Sequence, residues 1–400
     1  MQIRASRISS SISAAINEER HKHPPPDRND ADEAAVDETT PLNGTKKKNK
    51  KKASFPLGSV LASFFRFFRL HLTRYRPASF LSLRQDSWLL DEAEYLDAFP
   101  TPSRKHHHHS SRDGDEVFRD DNLLIPVGDL GYSGSTFFTT PNAKFLVKSL
   151  PRRFEHRFFT HELLTPYISH NKEHPASLLV RITDMPYAAR PSLGSILGTA
   201  PTHHIVMENL LYGKSEEEEG GKKWETYDLK PDDYFFPERD IADGNLAPQS
   251  VKDRLIDEFP DKKIVVPLDH REQLLATLNH DTQLLAAHSA VDYSLFLVRY
   301  PQSDNAAPSL HSGVPCPWRE GVSDVRGGWT YRAVVLDFFW AKSALQAKAM
   351  TGLVDTYNVV ADQGPMSITA EPGEYRQRFM KMVDNLVKAE SEEAGQDVEG

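Results

Sequence analysis

Two runs of the chain, "SAVDYSLFLVRY" at 289–300 and "YRAVVLDFFWAK" at 331–342, each set a carboxylate at the boundary of an apolar stretch. Leu295, Phe296, Leu297 and Val298 in the first run have the bias of a buried strand, as do Val334, Val335 and Leu336 in the second. A charge entering such a run is expensive to desolvate unless something pairs with it or binds to it. Asp292 and Asp337 are therefore expected at strand edges, where a partner or a ligand meets them.

The rest of the chain limits where a packed core can form. Of 400 residues, 39% are hydrophobic, and the mean hydropathy is −0.53, so part of the chain is expected outside the core. Residues 1–54 read as a disordered polar tail, Pro-rich at Pro24-Pro25-Pro26 and basic at "KKKNKKK", 46–52. That run suits a nuclear localisation signal or an anionic-lipid contact, and equally a solvated tail. Residues 55–116 are read as an amphipathic helix and a linker. Between 60 and 77, Leu61, Phe64, Phe65, Phe68 and Leu72 share one helical face, and Pro77 can stop the helix. Such a helix lies on a membrane surface or packs on the neighbouring domain. A short helix is expected at "WLLDEAEYLDAF", 88–99. His106 to His109 follow, and four adjacent histidines cannot all face one metal on a regular element.

From Val117 to about Lys388, short apolar strands, Gly-rich turns and helices alternate without internal repeats. "SEEEEGGKK" (215–223) reads as a solvated loop, 305–328 as a flexible insertion, and 389–400 as an acidic tail. A net charge of −9 argues against a whole-protein nucleic-acid binder. The single cysteine, Cys316, excludes an internal disulfide and a multi-Cys zinc site, and fits a reducing compartment such as the cytoplasm. Neither a signal peptide nor a spanning helix is expected, and the sequon at Asn43 reads as a chance match.

Several motifs carry chemistry. In "PVGDLGYSGSTFFTTPNAKFLVKSL" (126–150), Gly128, Gly131 and Gly134 precede a turn signal and a strand that holds Lys148. Glycines let a backbone approach phosphates closely, and a lysine on the next strand can reach back to them. No G-K-[ST] follows, so the pattern is not a P-loop. Glu155, seven residues beyond Lys148, is the candidate partner of that lysine, with Glu162 its competitor. "HELLT" (161–165) lacks the second histidine of a zinc motif. "THHIVMENLLYG" (202–213) has the form of a kinase hinge, with Glu208 to Leu210 offering backbone to adenine; an ordinary core strand reads the same way. "YDLKPD" (227–232) places Asp228 and Lys230 on a strand-like stretch. Phosphoryl transfer needs one carboxylate for the attacking hydroxyl and another for Mg²⁺. The order Gly-loop, Lys148, Glu155, hinge, Asp292, Asp337 is a kinase order.

"GYSGSTFF", "FLVKSL", "HPASLLVR", "HHIVMENLL", "YDLK", "VDYSLFLV" and "GPMSITAEPGEYRQRF" together resemble the phosphatidylinositol phosphate kinase family, over roughly 117–388. The resemblance implies an α+β, two-lobed SAICAR synthase-like kinase fold, with antiparallel sheets and packed helices. The N-lobe would be 117–211 and the C-lobe 212–388. By the same resemblance, Gly131, Ser133, Gly134 and Ser135 cover the ATP phosphates and Lys148 contacts them, partnered by Glu155. Glu208 and Leu210, in the hinge-like stretch, would bind adenine through their backbone. Lys230 approaches the transferred group, Asp292 is the catalytic aspartate, and Asp337 holds Mg²⁺. Arg239 is a loose match to a family arginine. The implied cofactors are ATP and Mg²⁺, and the implied partner is a phosphoinositide met at a membrane surface by a peripheral protein.

The chain departs from the family where "DLKGS" becomes "DLKPD", and where its activation segment offers Lys342 and Lys348 with Ala344 or Gln346 near a family glutamate. Position specificity, 4- against 5-kinase, stays open, as does oligomeric state. Alternatives are a pseudokinase or phosphoinositide-binding scaffold, or a kinase for a soluble inositol phosphate.

Overall fold

Lys148 faces one side of its strand and Val147 the other, and that alternation orders the first half of the molecule. A computed structural model describes residues 2–18, 71–99, 124–127, 135–189, 201–214, 224–231, 263–302, 313–342 and 370–390. Five strands, in the order Ile125–Val127, Phe137–Thr139, Phe145–Ser149, His204–Glu208 and Ile182–Asp184, pair antiparallel throughout. The turn at "TTPNAK" closes with Ala143 at φ 57, its N–H donating to the Thr140 carbonyl at 2.8 Å. Phe138, Phe145, Val147 and Val206 bury the outer face of this sheet. Phe137, Ile205 and Met207 join the main core on the inner face, the side of Lys148.

A second antiparallel sheet runs Val322–Ser323, Trp329–Leu336, Ser294–Pro301 and Glu225–Leu229. The backbones of the two halves meet at Val335. Val180 N–H donates to the Val335 carbonyl at 3.0 Å, and Val335 N–H donates to the Leu178 carbonyl at 2.7 Å. Two helices, Leu268–Ala287 and Pro372–Leu386, complete the second half, and Val387–Ala389 pairs in parallel with Ile264–Val266. The molecule is α+β with antiparallel sheets and packed helices.

The chain differs from the sequence-based expectations in three places. Residues 2–17, expected in a disordered tail, form a helix, Gln2–Asn17. Its Ile8, Ile12, Ala15 and Ile16 recur at helical spacing and bury against Phe138, Phe145 and Val147. Residues 19–54, with the basic run, lie outside the described residues. The helix expected over 60–77 does not reach Pro77: Thr73–Arg74 is a strand paired with Pro186–Tyr187, and Arg76 is left-handed at φ 43. Pro77 instead opens a helix, Pro77–Ser82, since its fixed φ suits a first helical position; residues 60–70 are outside the described set. The expected flexible insertion at 305–328 is in part core. Its described part, from 313 on, forms the helix Pro317–Glu320 and the strand Val322–Ser323, burying Cys316, Trp318 and Arg319.

Candidate active site

Strand register brings three sequence motifs to one end of the second sheet. Leu229 stands opposite Leu295, and Ser294 opposite Leu336. Lys230, just past the first strand, Asp292, just before the second, and Asp337, just past the third, therefore emerge at the same edge. Beyond them a two-stranded ribbon forms, Ala290 paired with Ala341 and Val291 with Trp340. The aspartates occupy the gap between sheet and ribbon, Asp292 at φ 64 and Asp337 at φ 60. Left-handed backbone is uncommon outside glycine, and aspartate tolerates it better than most residues. The aromatic residues next to each aspartate hold these bends. Tyr293 is buried against Tyr375 and Phe379, and the Tyr375 hydroxyl donates to the Tyr293 carbonyl at 2.6 Å. Phe338 and Phe339 pack on Tyr167 and Phe159 from the other half of the molecule.

Two ion pairs define the site. Lys230 Nζ lies 3.0 Å from Asp292 Oδ2, both nearly buried. Lys148 Nζ pairs with Asp337 Oδ1, a contact that spans the two sheets. The lysine side chain is 9% exposed and the aspartate 42%, so the carboxylate keeps an open side. Burial alone lowers the pKa of Lys148. The Asp337 carboxylate, helped by Glu155 and Asp228, outweighs that and raises it, so the lysine stays protonated.

Glu155 is buried on the helix Arg153–Phe158, with Arg152 Nη1 3.4 Å from its carboxylate. The ion pair of Lys148 is with Asp337, and Glu155 acts on the lysine through its field. Glu162 is exposed. Ser135 is buried at the entry to the Phe137–Thr139 strand. Gly131, Ser133, Gly134, Arg239, Lys348, Ala344 and Gln346 lie outside the described residues, and Lys342 pairs with Glu371. Glu208 ends the strand beside that of Lys148, but its carboxylate turns inward, accepting from Arg319 and from Arg181 N–H at 2.8 Å. Leu210 is buried in the core. Sequence reasoning misses two buried arginines around that hinge, Arg319 and Arg332. Arg319 lies in a stretch that reads as loose, and no local pattern marks Arg332. Asp228 is visible in its motif, but its nearness to Lys148 is not.

Carboxylate oxygens are the donors that a hard cation takes. Asp337 presents carboxylate oxygens at an open strand end, with Asp228 acting on the same lysine. Among the described residues, no group of three or more His, Cys, Asp or Glu side chains is placed to hold a metal ion.

Comparison with known proteins points the same way. The family model described as Phosphatidylinositol-4-phosphate 5-Kinase matches residues 118–314. That stretch holds the glycine motif, Lys148, Lys230 and Asp292. A probable phosphatidylinositol phosphate kinase of Dictyostelium discoideum is 28% identical over 191 residues, covering 47% of this chain and 24% of its own. A phosphatidylinositol 4-phosphate 5-kinase of Plasmodium falciparum is 30% identical over 168 residues, covering 41% and 9%. The mouse 1-phosphatidylinositol 3-phosphate 5-kinase is 23% identical over 282 residues, covering 64% and 11%. The chain thus spans 24% or less of the length of these relatives. Over the matched domain the chain is similar to the phosphatidylinositol phosphate kinase family, as a divergent member of it would be.

Proposed function

We propose that the chain is an ATP-dependent kinase that transfers the γ-phosphate to an inositol-ring hydroxyl of a phosphoinositide, working peripherally at a membrane surface. The observation that carries this reading is the convergence of Lys148–Asp337 and Lys230–Asp292 at one end of the second sheet. Asp292 orients the attacking hydroxyl and accepts its proton. Lys230, 3.0 Å away, pairs with that carboxylate until the phosphoryl group draws the ammonium toward itself. Lys148 holds the ATP phosphates, and burial against Asp337 and Glu155 aims it. Asp337 would hold Mg²⁺, which would neutralise phosphate charge when bound. Most of the rate enhancement on this account is positioning and charge neutralisation.

A lipid acceptor is supported by the relatives, which are named as phosphatidylinositol phosphate kinases, and by the matched family domain. The test is transfer of labelled phosphate from ATP to vesicles that each carry one phosphoinositide, with soluble headgroup analogues in parallel. Transfer to at least one lipid is expected. Transfer only to the soluble analogues would replace the lipid reading with a soluble inositol phosphate kinase. ATP-stabilised protein without any transfer would leave a scaffold.

A further inference from the structure

The stretch 313–321 is sewn to three separate parts of the molecule. Cys316 Sγ lies 3.6 Å from the Ala176 carbonyl, and Trp318 Nε1 donates to the His270 carbonyl at 2.9 Å. Arg319 is 3% exposed and donates through Nη2 to the carbonyls of Ser177 at 2.6 Å and Leu179 at 2.7 Å. Its Nη1 pairs with the buried carboxylate of Glu208. A second fully buried arginine, Arg332, stands on the strand that ends in Asp337. Arg332 Nη1 donates to the carbonyls of Leu210 at 3.0 Å and Tyr212 at 2.8 Å, and its Nε to the Glu320 carbonyl at 3.2 Å. The rings of Tyr300 and Trp224 cover its guanidinium at 5.1 and 5.6 Å.

Both guanidinium groups thus end on the same five residues, 208–212. We infer that Arg319 and Arg332 act together as positioning residues for the nucleotide, locking the 208–212 hinge to the strand that carries Asp337. The inference rests on the reading of that hinge as the adenine site. A guanidinium offers a rigid fork of donors, so each arginine fixes direction as well as distance. A peptide group is planar, so holding the carbonyls of Leu210 and Tyr212 sets the planes of their peptide units. The hinge is pinned on its other side too. Glu208 N–H donates to the Arg181 carbonyl at 3.1 Å, and Asn209 N–H to the Lys144 carbonyl at 3.0 Å. Arg332 sits five residues from Asp337 on one rigid strand, so the base-binding and cation-binding ends of an ATP site share one support.

The test uses the full chain carrying Arg319→Lys, Arg332→Lys or Arg332→Met, the lysine variants keeping the charge without the fork. Arg271→Met is the control: it removes an ion pair with Asp384 at 2.7 Å, away from the hinge. In the hinge variants, amide exchange over 208–213 is expected to rise at least about ten-fold, and KM for ATP by about ten-fold with kcat within about two-fold. The control should lower only the melting temperature. A double variant, Glu208→Met with Arg319→Met, should recover stability but not the KM for ATP. Hinge exchange and KM that stay at wild-type values while stability falls would reduce both arginines to core supports and overturn the inference. If the wild-type chain has no affinity for ATP, the kinase reading and this inference fall together. If it has, and the variants match it, only the arginine inference falls.

Discussion

Asp292 and Asp337 need two things at once, a left-handed backbone and a carboxylate, and substitutions separate them. Asparagine tolerates the left-handed region nearly as well as aspartate. Asp292→Asn is therefore expected to fold with near wild-type stability while losing about 10²–10⁴-fold in kcat, the range typical of a lost general base. Asp292→Val adds a strain of about 1–2 kcal/mol, visible as a lower melting temperature. An Asp292→Asn protein that keeps its turnover would remove Asp292 from the chemistry. His204 is a residue of the opposite kind. It is fully buried, and neither ring nitrogen has a hydrogen-bond partner among the described residues. Burial lowers its pKa to about 4. Between the unfolded value near 6.5 and 4, the unfolded chain binds a proton that the folded chain refuses, so stability falls as pH falls through that window. The loss from this residue is roughly 3–4 kcal/mol, taking about 1.4 kcal/mol per pKa unit. His204→Leu should flatten that acid limb and raise stability at pH 7. Urea unfolding at pH 7 and pH 4.5 checks both, and an unchanged slope contradicts the assignment.

At the scale of elements, what was legible in the sequence followed local pattern. Apolar runs with β-branched residues gave the strands around Lys148, Asp292 and Asp337, and their order along the chain gave the candidate site. Composition misled where polar residues surround a sparse apolar stripe. In Gln2–Asn17, serines and arginines outnumber the isoleucines, yet Ile8, Ile12 and Ile16 fall on one face and close the outer side of the first sheet. Ile12→Ala is expected to cost about 2–5 kcal/mol in denaturant unfolding, whereas a change under about 0.5 kcal/mol would mean that the helix does not dock. The stretch 313–321 misled for another reason. Proline and glycine suggested a loop, but Pro317 starts a helical turn and Gly321, at φ 138, ends it. A side chain at 321 would also collide with Tyr300 and Thr330. Its arginine donates to carbonyls 140 and 142 positions away, which no local window shows.

For the whole molecule, the site exists because two sheets from distant parts of the chain are joined. The Leu178–Val335 and Val180–Val335 hydrogen bonds set them side by side, and the Lys148–Asp337 pair closes the contact 189 positions apart in sequence. Pairings of that separation depend on packing, so the sequence could name both residues yet not show that Asp337, rather than Glu155, meets the lysine. This is the arrangement the kinase account needs, with ATP phosphates at Lys148 and the acceptor hydroxyl at Asp292. The most direct test is labelled-phosphate transfer from ATP to phosphoinositide vesicles, run side by side for the wild-type chain and Asp337→Asn. The account predicts transfer by the wild type and its loss, by about 10³-fold or more, in the variant. It is contradicted by no transfer to any phosphoinositide where a known lipid kinase works, or by equal transfer from both proteins.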